Sequence, residues 1–245
     1  RVSVLGDQLK RVKYRLYPTV QELAYLLRLR AFFYRYEYMF SPRQLCFLCS
    51  SVSEVRDVEG SVVEIGCAFG HTAVFLNEHM DHEGIDKRYV CVDTFSGFTP
   101  SDVAFERQIR GKNVEGLDVF FSTNKRKWFE FTLDINGIDR AEVIEADIAA
   151  LDIAQLGPVA FCLIDVDLYL PVRAALTGVF DILSPGGMIV VDDCFDHQLY
   201  DGAYHAYTEF TAAQGLPTTV VLGKLGVIRK ATPVQQAIAP SAAEP

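Results

Sequence analysis

Four aspartates stand in two close pairs in the C-terminal half of the chain, each pair directly after a short apolar run. Asp165 and Asp167 follow one run, and Asp192 and Asp193 follow the next. Carboxylates that are crowded together repel one another unless a cation joins them. An all-oxygen set without His or Cys is typical of a Mg²⁺ site. Such an ion lowers the pKa of a bound hydroxyl, and a spare carboxylate can take the proton, so the pattern predicts chemistry on a hydroxyl group.

A glycine-containing loop follows an earlier apolar run. Residues 66–70 read Gly-Cys-Ala-Phe-Gly and are preceded by Glu64. The spacing lacks the middle glycine with which dinucleotide-binding loops approach a pyrophosphate, although a plain strand–helix turn would also fit it. Asp93 stands where a carboxylate accepts both hydroxyls of a ribose, and Asp147 is placed to accept from an adenine amino group. Adenosine without phosphate, with a cationic centre near Glu64, indicates S-adenosylmethionine.

The cofactor contacts that we predict come from this loop and from the residues that follow the next three strands. They are Glu64, Gly66, Cys67, Ala68, Gly70, Asp93, Thr94, Asp147 and Asp165.

The segments that must position these residues alternate between apolar strands and helices. Strands are predicted over residues 61–65, 89–93, 141–146, 159–164 and 188–191, and helices over residues 71–80, 122–136, 170–183 and 202–214. Two last strands, 218–222 and 225–229, are joined too tightly for a parallel crossover and form an antiparallel hairpin. The expected fold is α/β: one doubly wound, mostly parallel sheet of seven strands, with ligands at the carboxyl ends of the parallel strands.

The domain organisation follows from the same pattern. Residues 1–57 are expected to hold N-terminal helices, over 19–40 and 42–57, and residues 58–230 the sheet domain. Residues 97–121 lack a clear period and are expected to form a loop with a short helix. Residues 231–245 are rich in Ala and Pro and are expected to be disordered.

Composition narrows the class of protein. Half of the 245 residues are hydrophobic, which is typical of a globular chain. A formal charge of −9 argues against general nucleic-acid binding. No apolar run reaches the ~18 residues of a membrane span, and no signal-peptide-like stretch opens the sequence. The six cysteines lie in or shortly after predicted helices and strands, which suits reduced thiols and a cytoplasmic location.

Four motifs together resemble the macrocin-type O-methyltransferases, a family that uses S-adenosylmethionine and methylates sugars of macrolide and aminocoumarin antibiotics. The motifs are Val63-Glu-Ile-Gly-Cys-Ala-Phe-Gly70, Cys91-Val-Asp-Thr-Phe-Ser-Gly-Phe98, Leu163-Ile-Asp-Val-Asp-Leu-Tyr169 and Val191-Asp-Asp193. The likeness spans roughly residues 34 to 230.

The resemblance assigns roles to individual residues. It implies that Asp165, Asp192 and Asp193 are metal ligands and that Asp167 is the general base. It implies a mobile lid over the acceptor in the Tyr34–Phe40 segment, with Tyr36, Glu37 and Tyr38, although a helix so rich in aromatic residues also suits a protein core. It also implies a homo-oligomer.

Three functions remain open on the sequence. The first is Mg²⁺-dependent methylation of a sugar hydroxyl on a glycosylated natural product or surface glycan. The second is the same reaction on a catechol or other phenol. Because a phenol is more acidic than a sugar hydroxyl, it depends less on a general base. The third is a non-catalytic protein that binds S-adenosylmethionine, against which the intact acid cluster weighs.

Overall fold

The computed structural model describes residues 16–29, 33, 36–112, 115–196 and 201–232. The chain divides into two units, residues 1–39 and 40–245. Most of the expected tail, residues 233–245, and Tyr34 of the expected lid lie outside the described residues.

In the first unit, helix α1 covers residues 16–26. The sequence predicts a helix as far as residue 40, but the helix ends at residue 26. The helix ends because Arg28 adopts the left-handed conformation, with φ of 55°. The amide of Leu29 then donates to the carbonyl of Ala24 at 2.8 Å, which is the bond that closes a Schellman motif.

The second unit contains a single seven-stranded sheet, as predicted. The strand order is β3-β2-β1-β4-β5-β7-β6. The strands are β1 Ser61–Ile65, β2 Tyr89–Asp93, β3 Ala141–Glu145, β4 Val159–Ile164, β5 Leu183–Val191, β6 Thr219–Val221 and β7 Leu225–Arg229. The first five run parallel, and β7 pairs antiparallel with both β5 and β6. The order reverses direction between β1 and β4, where ligands bind in folds of this type.

Within the described residues of the second unit, the chain forms six α-helices. They are α2 Pro42–Glu54, α3 His71–Glu83, α4 Pro100–Gln108, α5 Arg126–Ile135, α6 Tyr169–Ile182 and α7 Gly202–Ala213. The short helix expected within residues 97–121 is α4. Helix α2 was expected with the N-terminal helices of residues 1–57, and it lies in the second unit.

Local sequence explains where α2 begins. The Ser41 hydroxyl accepts from the Gln44 amide, the Gln44 side chain accepts from the Ser41 amide at 2.7 Å, and Pro42 occupies the first turn. This reciprocal pair satisfies two amides that a helix start leaves free. Because the Gln44 side-chain nitrogen also donates to the Leu222 carbonyl at 3.1 Å, the cap fixes α2 to the β6–β7 turn.

The core lies between the sheet and its helices. All residues of β1 and β4 are buried, as are five consecutive residues at the end of β5. Strand β5 begins at Leu183, five residues before the predicted start, because Leu183 pairs with Val159 before a register irregularity.

Candidate active site

Strain in the backbone concentrates at one edge of the sheet. Four non-glycine residues with positive φ follow the carboxyl ends of four parallel strands: Ala68 after β1, Phe95 after β2, Asp167 after β4 and Asp193 after β5, with φ between 43° and 57°. Such conformations cost free energy and persist where the surrounding structure imposes them, often at functional sites.

The glycine loop needs its first glycine. Gly66 has φ of 86°, and a Cβ atom added to it would lie 1.9 Å from the carbonyl oxygen of Asp165. Gly66 therefore allows the ends of β1 and β4 to touch, which brings the glycine loop beside the first aspartate pair.

Asp93 fastens this loop to the next one. One of its carboxylate oxygens accepts from the Ala68 amide at 2.9 Å, and the other accepts from the Phe95 amide at 2.7 Å. Each oxygen has a second lone pair, so the carboxylate keeps the capacity to accept a ribose hydroxyl. The sequence analysis missed Asn124, whose buried side chain donates to the Ala68 carbonyl at 2.8 Å and holds the other side of the loop.

Glu64 lies beneath the loop. Its side chain is buried and accepts a hydrogen bond of 2.6 Å from the Tyr89 hydroxyl. Burial raises the pKa of Glu64 to about 8, although the bond from Tyr89 opposes the shift. Burial likewise raises the pKa of the neighbouring Cys67 thiol. Contact between Glu64 and a cationic part of the cofactor stays a prediction.

The remaining predicted cofactor residues are engaged in loop turns. The Thr94 hydroxyl donates to the Gly97 carbonyl at 2.7 Å. Asp147 accepts from the Ala149 amide at 2.9 Å, and it lies close enough to Asp102 to help raise the pKa of that buried carboxyl. Gly70 opens α3 in the left-handed conformation and faces the ring of Phe129.

The two aspartate pairs come together after β4 and β5. Burial, and then repulsion by Asp192, raises the pKa of Asp165, whereas burial and Asp193 raise that of Asp167. Burial and Asp193 raise the pKa of Asp192 to about 6. One oxygen of Asp192, Oδ1, is buried and has no hydrogen-bond partner among the residues that the structure describes. A buried carboxylate oxygen in this state is costly, and a cation would satisfy it.

A basic side chain that the sequence analysis did not single out reaches into this cluster. The Lys224 ammonium lies 2.7 Å from Asp192 Oδ2 and 3.4 Å from Asp193 Oδ1. Burial alone would lower the pKa of Lys224, but the attraction of Asp192 and Asp193 outweighs it and raises the pKa. Lys224 lies in the β6–β7 turn, directly before β7, so its place depends on pairing between β5 and β7.

Asp167 occupies a γ-turn. The Leu168 amide donates to the Val166 carbonyl at 2.5 Å, and Asp167 between them has φ of 57°. This turn is uncommon and strained. Asp167 does not cap helix α6, because Leu168 is the N-cap residue and no side-chain capping bond is formed there.

The carboxylic acids fit a hard divalent ion by their chemistry, since carboxylate oxygens are the usual ligands of Mg²⁺ and Asp192 Oδ1 lacks a partner. They are not arranged as a finished site. Across residues 16–29, 33, 36–112, 115–196 and 201–232, no three His, Cys, Asp or Glu side chains converge as metal ligands. Metal ligation by Asp165, Asp192 and Asp193 therefore stays a prediction.

The described part of the expected lid has no regular secondary structure. The rings of Tyr36 and Tyr38 lie 5.4 Å apart, and Glu37 between them is exposed. Their role toward an acceptor stays a prediction.

A mixed sheet of this order, with flanking helices and a C-terminal antiparallel hairpin, defines the Rossmann-like methyltransferase fold. Residues 39–225 match the family model described as macrocin-O-methyltransferase (TylF). The chain belongs to this family of O-methyltransferases, as the sequence motifs indicated.

Solved structures share the fold at low sequence identity. The O-methyltransferase NovP superposes with a TM-score of 0.65 at 16% identity, over 80% of this chain and 83% of NovP. The calicheamicin methyltransferase CalS11 gives 0.64 at 20% identity, over 94% of each chain. Its apo structure, titled a TDP-rhamnose 3'-O-methyltransferase, gives 0.56 at 17% identity, over 94% of this chain and 96% of that one. No curated protein sequence matched the chain.

Among the helices that the structure describes, none has both the length and the apolar character that crossing a membrane requires.

Proposed function

We propose that this O-methyltransferase transfers a methyl group from S-adenosylmethionine to a sugar hydroxyl, with Mg²⁺ as a second cofactor. The observation that carries the proposal is the carboxyl cluster beside the glycine loop, with the strained Asp167 and the unpartnered oxygen of Asp192. The acceptor would be a glycosylated natural product or a glycan.

The cofactor would lie across the ends of β1, β2 and β3. It would lie against the glycine loop at Gly66, with Asp93 accepting from its ribose and Asp147 accepting from its adenine amino group. The Asp93 carboxylate is already oriented by two backbone amides, so it loses little freedom on binding.

The chemistry requires a base. The acceptor oxygen forms a bond to the methyl carbon while the bond from that carbon to sulfur breaks, and the hydroxyl proton passes to the carboxylate of Asp167. A sugar hydroxyl is too weak an acid to lose its proton unaided near neutral pH. Held by Asp165, Asp192 and Asp193, Mg²⁺ would supply positive charge where negative charge develops.

A sugar acceptor is favoured by the family and by similar structures. CalS11 carries the name of a TDP-rhamnose methyltransferase, so nucleotide deoxysugars and glycosylated macrolides are the first compounds to test.

The test measures transfer of labelled methyl from S-adenosylmethionine to these compounds and to a catechol, with Mg²⁺ and after chelation. We expect label on a sugar, abolished by chelation and restored by Mg²⁺. Label on the catechol alone would favour the phenol reaction. Cofactor binding without transfer to any compound would favour a non-catalytic protein.

Two further parts of the proposal concern the whole protein. All six cysteines are free thiols, which fits a cytoplasmic location. The homo-oligomer implied by the family is tested by light scattering of the purified protein, where a monomer mass would contradict it.

A further inference from the structure

We propose that Lys224 is a built-in counter-ion of the Asp192–Asp193 pair and that its ammonium competes with the divalent metal for these two carboxylates. The inference rests on the metal dependence in the proposed function and adds a residue that sets the affinity for the metal.

The Lys224 ammonium contacts both carboxylates of the pair. Its nitrogen bonds Asp192 Oδ2 at 2.7 Å and reaches Asp193 Oδ1 at 3.4 Å, so it touches two of the three predicted metal ligands. The Asp192 side chain is 3% exposed and that of Lys224 is 20% exposed. Charges this well covered are weakly screened by water and salt, so a second cation brought to the same two carboxylates meets strong repulsion.

The backbone of Lys224 is held in place by hydrogen bonds in and beside the β6–β7 turn. Its carbonyl accepts from the Cys194 amide at 2.7 Å, directly after Asp193. The preceding Leu222 carbonyl accepts from the Gln44 side chain at 3.1 Å. The ammonium also lies 4.8 Å from the ring centre of Phe40, a contact that stabilises a cation. The ammonium can therefore make way for a metal only by a change of its own side-chain rotamers.

This arrangement lowers the affinity of the two carboxylates for a metal ion. A flexible lysine is a point charge on a long stem, suited to neutralising a carboxylate pair and to swinging away from it. While the metal is absent, the ammonium keeps Asp192 and Asp193 from repelling each other. When the metal binds, part of its binding free energy is used to displace the ammonium, so the measured affinity is lower than the carboxylates alone would give.

The experiment is calorimetric titration of the full chain with Mn²⁺, without cofactor or acceptor. We expect Lys224→Met to bind Mn²⁺ at least about tenfold more tightly than the parent. Lys224→Gln serves as a second neutral variant should the Met variant fold poorly, and Lys224→Arg, which keeps the charge, should bind no more tightly than the parent.

The chain offers a matched control. Lys230 lies 5.2 Å from the ring centre of Phe180 and donates to the Phe180 carbonyl at 2.9 Å, so it makes a similar ring contact but bonds no carboxylate. Lys230→Met should leave Mn²⁺ affinity within about threefold of the parent.

The outcomes separate the two proposals. Equal or weaker Mn²⁺ binding by Lys224→Met and Lys224→Gln, with clear binding by the parent, overturns the competition and leaves metal-dependent methyl transfer standing. Absence of Mn²⁺ binding in the parent and in every variant overturns both.

Discussion

In the proposed reaction Asp167 is the base, and its backbone is held by other parts of the chain. Its carbonyl accepts from the Ala203 amide at 3.1 Å, and the amide of Tyr169 donates to a Glu106 oxygen at 2.9 Å. The γ-turn between these anchors brings the carboxyl group close to Asp193, whose charge adds to burial in raising the pKa of Asp167. A residue that only capped a helix would not need these backbone anchors, whereas a general base must be held in position.

Asp167→Asn tests the base directly. Asn is nearly isosteric and tolerates positive φ, but it cannot accept the proton. We expect turnover on a sugar acceptor to fall by at least about a hundredfold, with cofactor affinity unchanged and the melting temperature within a few degrees of the parent. Turnover within threefold of the parent would remove Asp167 from the role of base.

Asp93 is expected to carry much of the cofactor affinity. A hydrogen bond to a charged group contributes about 1.5–3 kcal/mol, so Asp93→Ala should weaken S-adenosylmethionine binding at least tenfold by calorimetry. Asp152→Ala is the matched control for the loss of a local turn and should bind S-adenosylmethionine as the parent does. Asp152 accepts from the Ala154 amide at 3.2 Å in a similar turn at the start of a 3₁₀ helix. Unchanged affinity in Asp93→Ala would exclude Asp93 from the cofactor site.

Glu64 predicts a pH dependence of stability. Its pKa is about 8 in the folded protein against the ordinary value of 4.5, so the folded state keeps a proton that the unfolded state releases. The resulting stabilisation is fully present below pH 4.5 and is lost as the pH rises from there through about 8.

Glu64→Gln should flatten this part of the profile. Denaturant unfolding of the cofactor-free protein should show the parent losing a few kcal/mol more than the variant between pH 5 and 8, on the order that the pKa shift implies. Parallel pH profiles for parent and variant would show that Glu64 is ionised in the folded state.

At the scale of elements, a buried ion-pair network joins the helices behind Asp167. Arg110, just past α4, bonds Glu106 at 2.9 Å and also bonds Asp201, which precedes α7. Lys112 bonds Asp201 at 2.5 Å, and the Arg110 guanidinium lies over the Tyr169 ring at the start of α6. The network therefore fixes the three helix ends that surround the γ-turn.

Removing Glu106 should expose the cost of this network. Glu106→Ala takes away a buried charge and the acceptor of the Tyr169 amide, and loss of one partner from such a network costs about 3–5 kcal/mol of unfolding free energy. Asp118 pairs with Arg107 of the same helix at an exposed site, so Asp118→Ala should leave the melting temperature almost unchanged. Equal melting temperatures for the two variants would contradict a stabilising role for the network.

At the scale of the whole molecule, the sheet was predictable because its strands are short, apolar and buried on both faces. Because ligands bind at the carboxyl ends of parallel strands, the order of strands along the chain was enough to predict that Asp93, Asp165 and Asp192 lie at one edge of the sheet. The end of α1 at residue 26 was not predictable from periodicity, since Arg28 rather than a glycine takes the left-handed conformation.

The missed site residues share one physical cause. Lys224 and Asn124 reach the site through contacts between segments far apart in the chain, with Asp192 and Ala68 respectively. Spacing along the sequence carries no signal for such contacts. Each lies in or beside a turn, where a lysine or an asparagine is ordinarily solvated, so residue type gave no warning either.

The most direct test of the central claim is a crystal structure of the protein with S-adenosylhomocysteine and Mn²⁺, with the metal located by its anomalous signal. We expect the nucleoside to lie against Gly66, with its ribose on Asp93, and the anomalous peak to lie among Asp165, Asp192 and Asp193. A nucleoside bound elsewhere, or a peak away from these three carboxylates with the Lys224 ammonium still on Asp192, would contradict it.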